Sequence, residues 1–170
     1  MSNLFVKILS EKQRQTLSSL SIFSRYGILA GGTGLALQLA HRYSYDFDIF
    51  CPKPISRAFF FRTAKIFHNP KVLVNTSDEL SFVARTGIKC SFIFYPFRGL
   101  HRLIKGPYGW QVSFWKDIAL DKAHTVGRRG EWRDYVDMYF IIKRGFVLPD
   151  ILREAKMKFG NSFSEKLFLS

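Results

Sequence analysis

The stretch Ile28-Leu-Ala-Gly-Gly-Thr-Gly-Leu-Ala-Leu-Gln-Leu-Ala-His-Arg-Tyr-Ser-Tyr-Asp-Phe-Asp-Ile-Phe50 decides the fold. Tyr26 to Ala30 reads as a short buried strand that Gly31-Gly32 interrupts. Glycine permits positive φ and lets a ligand approach the backbone. Thr33 follows as an N-cap, and Leu35, Ala36, Leu37, Leu39 and Ala40 suit a helix. The free N–H groups at such a helix start can hold an anion, although an ordinary strand-to-helix turn has the same pattern. The glycines are not a dinucleotide fingerprint, because Leu37 occupies the third glycine position. No Gly-Lys-Ser/Thr phosphate loop occurs in the chain.

The second half of the stretch is more specific. In Asp46-Phe47-Asp48-Ile49-Phe50, a strand period of two puts Asp46 and Asp48 on one face and Phe47 and Ile49 on the other. One face can enter a core while two carboxylates converge on a cleft. Side by side they repel, and a divalent cation relieves the repulsion. Hard oxygen ligands suit Mg²⁺, or Mn²⁺, held by one or two carboxylates and completed by substrate phosphates. The alternative is a solvated strand end that carries two acids.

Composition narrows the classes. At 170 residues the chain is expected to form a single domain, 1–170, with a core over about 1–113 and a helical part over about 114–170. Hydrophobic residues make up 47% and aromatics 16%, which excludes disorder. The formal net charge of +13 favours polyanions, although basic surfaces also serve solubility alone. Cys51 and Cys90 stand in apolar surroundings outside any metal-type cluster, so buried thiols in a reducing cytoplasm are expected. Residues 1–9 lack the apolar core of a leader peptide, and no apolar run approaches the roughly 20 residues that span a bilayer, so no membrane partner is expected.

Along the chain, residues 3–24 read as a helix with Leu17, Leu20 and Phe23 toward the core. A helix is expected over 56–68, and its aromatic run Phe59-Phe60-Phe61 suits a core better than a base-stacking platform. Strands are expected over 72–74, 80–85, 88–95 and 111–113. In the third, Ile88, Cys90, Phe92 and Phe94 share one face, and Lys89, Ser91, Ile93 and Tyr95 the other. Residues 96–109 read as a basic loop with Arg98, His101, Arg102 and Lys105, either solvated or against a nucleic acid backbone. Helices follow over 115–126, 132–143 and 150–159, with Gly145 and Gly160 as stops.

A second cluster lies in this helical part. Asp134 and Asp137 are three apart and share a helix face. Asp137 is flanked by Tyr135, Val136, Met138, Tyr139 and Phe140, so it needs a partner or a wet cleft. Lys122 or Arg133 could pair with it, in a structural salt bridge between helices. Asp134 also suits the first turn of its helix, where an acid meets the dipole.

Strand, Gly-Gly-Thr, helix, then His41, Arg42, Ser44, Asp46 and Asp48 resembles the AbiEii/AbiGii-type toxin nucleotidyltransferases of the DNA polymerase β-like superfamily. The resemblance extends to Asp117, Ile118, Ala119 and Lys122, then Arg129, Gly130, Arg133, Asp134, Asp137, Tyr139 and Phe140. It covers the chain loosely from about 26 to 140. It implies an α/β (α+β) fold, a mixed sheet flanked by helices with a helical C-terminal part. It implies transfer of a nucleoside monophosphate from an NTP to an acceptor hydroxyl, with RNA or tRNA as acceptor and an antitoxin as protein partner. Asp46 and Asp48 would be the metal ligands. Gly31, Gly32, Thr33, Arg42 and Ser44 would bind nucleotide, Lys122 would touch the triphosphate, and Asp134 or Asp137 would position substrate or aid proton removal. Two departures stand out. The chain is short for the family, and no Asp or Glu lies between Glu79 and Asp117, where many superfamily members carry a third carboxylate. Ser91 or Cys90 stands in its place. The competing reading is a degenerate, non-catalytic module that binds nucleotide or RNA.

Overall fold

A computed structural model describes residues 4–129 and 131–169. Gly130 of the second motif and residues 1–3 lie outside these. The expected helix over 3–24 is broken into three. A 3-10 turn, Val6–Ile8, precedes α1, Glu11–Leu20, and a second turn, Ser21–Phe23, follows it. Ser10 causes the first break. Its backbone is extended, its hydroxyl accepts the Gln13 N–H, and the Gln13 side chain accepts the Ser10 N–H, a reciprocal pair that fixes a helix start. Leu17, Leu20 and Phe23 still reach the core.

The strand expected over 26–30 is shorter, β1, Ile28–Leu29. It is followed by α2, Gly31–Leu39, and β2, Phe47–Cys51. Ser56 caps α3, Arg57–Ile66, by accepting the Phe59 N–H. Phe59 and Phe60 pack against the core, as expected, while Phe61 is exposed. Next come β3, Lys71–Asn75, β4, Glu79–Val83, and β5, Lys89–Phe94. The segment read as a loop over 96–109 contains a further strand, β6, Ile104–Lys105, which pairs antiparallel with β7, Gln111–Val112. Four helices follow: α4, Trp115–Arg129, α5, Trp132–Lys143, α6, Leu148–Phe159, and α7, Glu165–Leu169.

The strands form one seven-stranded mixed sheet in the order β3-β4-β5-β2-β1-β7-β6. β2 lies at its centre, antiparallel to β1 and parallel to β5. Alternation along β2 and β5 sorts their side chains. Phe47, Ile49, Cys90 and Phe92 enter the core formed with α1 and α3. The opposite face carries Asp48 with its register partner Ser91, and Ser91 in turn faces Ser81 of β4. A second apolar cluster joins Leu35 of α2 to Ile118 and Ala123 of α4, Ile141 of α5 and Ile151 of α6. That packing brings α4 and α5 to the start of α2. Both cysteines are buried free thiols, and burial pushes Cys51 up to about 11. No helix among the described residues is long and apolar enough to cross a membrane.

Candidate active site

The site begins where β1 turns into α2. The Ala30 N–H donates to the Asp48 carbonyl (2.9 Å), extending the β1–β2 pairing by one residue. Gly31 therefore arrives directly against Asp48. Its φ is +59°, and a Cβ there would overlap Asp48 Oδ2. Only glycine meets both demands. At Gly32 a Cβ would sit 2.8 Å from Arg42 Nη2 and 3.0 Å from Ser44 Oγ, so the Arg42 and Ser44 side chains lie over the glycine turn.

Thr33 does not cap this helix. Ala30 holds the cap position, and Thr33 lies inside the helix, buried, with its hydroxyl donating to the Asp46 carbonyl (2.5 Å). The first helical bond runs from the Gly34 N–H to the Ala30 carbonyl (2.9 Å), which moves the cap three residues upstream of Thr33. The threonine fastens the segment that leads into β2 to the helix.

Asp46 and Asp48 stand apart from the other acids of the site region. Asp117, Asp121, Asp134 and Asp137 are all buried and paired with cations. Neither Asp46 nor Asp48 makes a side-chain hydrogen bond or ion pair to a described residue, although both are partly shielded from solvent. Burial, and then the neighbouring Asp46 charge, raise the proton affinity of Asp48 above the ordinary carboxylate range. The positive charges of Lys89, Lys122 and Arg129 act in the opposite direction. Lys122, from a helix more than seventy residues downstream, is thus part of the electrostatic surroundings of Asp48.

The cationic side is built on Asp137, which is fully buried in α5. Arg42 grips it with two bonds, Nε to Oδ1 (2.6 Å) and Nη2 to Oδ2 (2.8 Å). His41 Nε2 lies 2.6 Å from Oδ1 and Lys122 Nζ 2.6 Å from Oδ2. Burial alone would raise the Asp137 proton affinity. The bonds from His41 and Arg42 and the Lys122 charge outweigh it and hold the carboxyl well below the usual range. Lys122 Nζ also donates to Asp134 Oδ1 (2.6 Å), and Arg129 Nε donates to Asp134 Oδ2 (2.9 Å). Of the two partners considered for Asp137, Lys122 is present. Arg133 is exposed and forms no ion pair among the described residues. Asp46, Asp48, Gly31, Gly32, Thr33, Arg42, Ser44, Lys122, Asp134 and Asp137 therefore gather on Asp48, the glycine turn or the Asp137 network.

Some features were not legible in advance. Ser91, not Cys90, is the register partner of Asp48, while Cys90 faces the core. Ser91 is buried and bonded to Ser81 (2.7 Å), whose hydroxyl also reaches the Glu79 carboxylate. Lys89 lies two residues before Ser91, on the face that carries Asp48. The alternation of β5 was readable, but its parallel pairing with β2 was not. Asp117 anchors a loop: its carboxylate accepts the Leu100 and His101 N–H groups (2.8 and 2.9 Å). His101, expected among the exposed bases of that loop, lies between Asp117 and Glu154.

Among the described residues, no group of three or more His, Cys, Asp or Glu side chains gathers as a metal site. The donor set near the glycine turn is two carboxylates. That fits a hard dication completed by phosphate and water oxygens. The unpaired, shielded Asp48 carboxylate beside Asp46 is the observation that supports such a fit.

Solved structures with the same architecture include a candidate nucleotidyltransferase from H. pylori. It has a TM-score of 0.57 and 17% identity, over 81% of this chain and 71% of that one. JHP933 from Helicobacter pylori has a TM-score of 0.55 and 16% identity, over 84% and 68% of the two chains. The Megavirus polyadenylate synthase has a TM-score of 0.53 and 13% identity, over 79% of this chain and 32% of that one. These likenesses show a nucleotidyltransferase-type fold. No family model matches the chain. The uncharacterised protein aq_aa25 of Aquifex aeolicus (strain VF5) is 33% identical over 160 residues, covering 90% of this chain and 77% of that protein. On that extent of identity, the chain belongs to the same family as aq_aa25.

Proposed function

We propose that the chain is a nucleotidyltransferase that moves a nucleoside monophosphate from an NTP to an acceptor hydroxyl and releases pyrophosphate. The observation that carries this reading is the unpaired Asp48 carboxylate, lodged against the Gly31 turn with Lys122 in its electrostatic field. Asp46 and Asp48 would hold Mg²⁺ or Mn²⁺. Bound there, the ion would neutralise phosphate charge and polarise the phosphoryl oxygen. The backbone N–H groups of Gly31, Gly32 and Thr33 would face phosphate oxygens at the start of α2, with the Ser44 hydroxyl beside them.

Arg42 and Lys122 supply the remaining charge. A guanidinium has five N–H donors and an ammonium three. Asp137, Asp134 and the Tyr43 carbonyl use only some of them, so each cation keeps a donor for pyrophosphate oxygens. Held in place beforehand, both can stabilise charge that builds on the leaving group. Asp137 is buried and firmly ionised, which suits an anchor rather than a proton acceptor. In this reading Asp134 and Asp137 are positioning residues.

Exposed aromatic side chains support a single-stranded RNA end, such as that of tRNA, as acceptor. Trp132, Tyr135 and Tyr139 are exposed on α5 at helical spacing, and Tyr43 and Tyr45 are exposed on the segment that leads to Asp46. Stacking on such rings suits single strands, and the net charge of +13 suits their phosphates. The motif resemblance supports a toxin of the AbiEii type acting in the cytoplasm as one domain, restrained by a cognate antitoxin.

A second reading rests on Ser91. It stands opposite Asp48 in register where a third carboxylate would help hold a second metal. That favours a degenerate module that binds nucleotide or RNA without turnover. Incubation with each α-labelled NTP, Mg²⁺ and total RNA separates the two. Label in RNA supports the transferase, and nucleotide binding without incorporation supports the module.

A further inference from the structure

A cavity of about 610 Å³ opens at the far end of β2 from Asp46, where Cys51 and the 52–56 turn meet the start of α3 and the segment before β1. It lies on the core side of β2, the side of Cys51, not the side of Asp48. Its volume is in the range of small-molecule sites, roughly 300–1,000 Å³. Ile55 and Phe59 line its apolar wall.

All the charged residues of its lining are basic: Arg25, Lys53 and Arg62. Arg25 Nη2 and Arg62 Nη1 each donate to the Tyr26 phenol oxygen at 3.0 Å. Neither guanidinium has a carboxylate within ion-pair distance among the described residues, whereas the buried cations Lys122 and Lys158 do. Each lies near an aromatic ring instead, Arg25 5.0 Å from the Tyr26 centroid and Arg62 5.8 Å from that of Phe23. Two like charges thus converge on one neutral acceptor. An anion would relieve their repulsion and use the donors they keep. The Arg25 bond, with the charges of Arg25 and Arg62, already draws the Tyr26 phenol below its ordinary proton affinity.

We infer that this cavity is a second binding site, for a small phosphorylated ligand with an apolar or aromatic body. Its phosphate would be held between Arg25 and Arg62 with Lys53 at the rim, and its body would lie against Ile55 and Phe59. A nucleoside monophosphate has this chemistry. The inference does not rest on the transferase reading.

The test is calorimetric titration of the whole chain at low salt with AMP, adenosine and inorganic phosphate. Wild type and an Arg25→Ala/Arg62→Ala double variant are compared, with thermal unfolding to check each fold. Wild type is expected to bind AMP more tightly than phosphate or adenosine. The double variant should lose at least about tenfold in AMP affinity while still folded, the scale of a lost charge-assisted contact. If the double variant does not fold, Arg62→Gln with Lys53→Gln gives the same readout. No binding of AMP by wild type, or undiminished binding by the folded charge variants, overturns the inference. Equal affinities for AMP and phosphate overturn the role given to the apolar wall.

Discussion

Replacing Asp137 by alanine should destabilise the protein more than any surface change, because Arg42, Lys122 and the His41 imidazole, all buried or half-buried, meet on this one carboxylate. The variant leaves Lys122 and the Arg42 guanidinium without their shared counter-ion, and it strips the bond from His41. Lys122 would retain Asp134, but among the described residues Arg42 would retain only the Tyr43 carbonyl. Breaking a buried pair on one side typically costs about 3–5 kcal/mol. Against a total of roughly 5–15 kcal/mol, that is a large share of the stability. With a urea slope of about 2 kcal/mol per molar, the midpoint should fall by about 2 M. The pH dependence has a definite sign. Asp137 is held below the ordinary carboxylate range, so its contribution is complete above the unfolded value of about 3.9. It is lost as pH falls through the lower folded value. The gap between wild type and variant should therefore persist at neutral pH and close in strong acid. Urea unfolding followed by circular dichroism at several pH values measures it. A midpoint shift under about 0.3 M, or a gap that widens as pH falls, would refute the counter-ion role.

Asp48→Asn should raise the melting temperature of the metal-free protein at neutral pH, because an ionised, shielded and unpaired carboxylate beside Asp46 is removed. The raised proton affinity of Asp48 makes that gain shrink as pH falls toward the carboxylate range; a thermal scan against pH checks it. The same variant should abolish the increase in melting temperature that Mn²⁺ gives wild type by binding only the folded state. Gly31→Ala should cost on the order of 1–2 kcal/mol for its left-handed backbone alone, read by denaturant unfolding, and should also weaken Mn²⁺ binding by displacing Asp48. Trp132→Ala should leave stability within about 0.5 kcal/mol, yet weaken binding of a single-stranded oligoribonucleotide by about 1–3 kcal/mol in an anisotropy titration.

Much of the fold was readable where period and punctuation agreed. The alternation in Asp46–Phe50 predicted which residues of β2 face the core, and Trp132–Lys143 was predicted with its observed ends. Errors arose where a local signal was overridden by its neighbours. Thr33 looks like a cap, but the glycines before it start the helix early, and its hydroxyl is drawn to the Asp46 carbonyl. The helix over 3–24 is interrupted by Ser10, whose capping partner is the Gln13 side chain three residues on. β6 has two residues and pairs with β7 as a local hairpin across the Gly106–Trp110 turn, and two residues are too few to show a strand period. In the candidate site, residue types and spacing drew attention to Asp46, Asp48 and Asp137, and the structure places Asp48 against the glycine turn and Asp137 among His41, Arg42 and Lys122. The choice between Lys122 and Arg133 as partner, the position of Ser91 and the inward turn of His101 depend on how helices and strands meet. Those details are set by packing rather than by local sequence.

The most direct test of the central claim is transfer itself. Wild type and Asp48→Asn are incubated with each α-labelled NTP, Mg²⁺ and total RNA, and the RNA is resolved on a denaturing gel. The account predicts label in RNA with at least one NTP, dependent on Mg²⁺ and absent with the folded Asp48→Asn variant. Equal labelling by the variant, or none by wild type with any NTP, would contradict it.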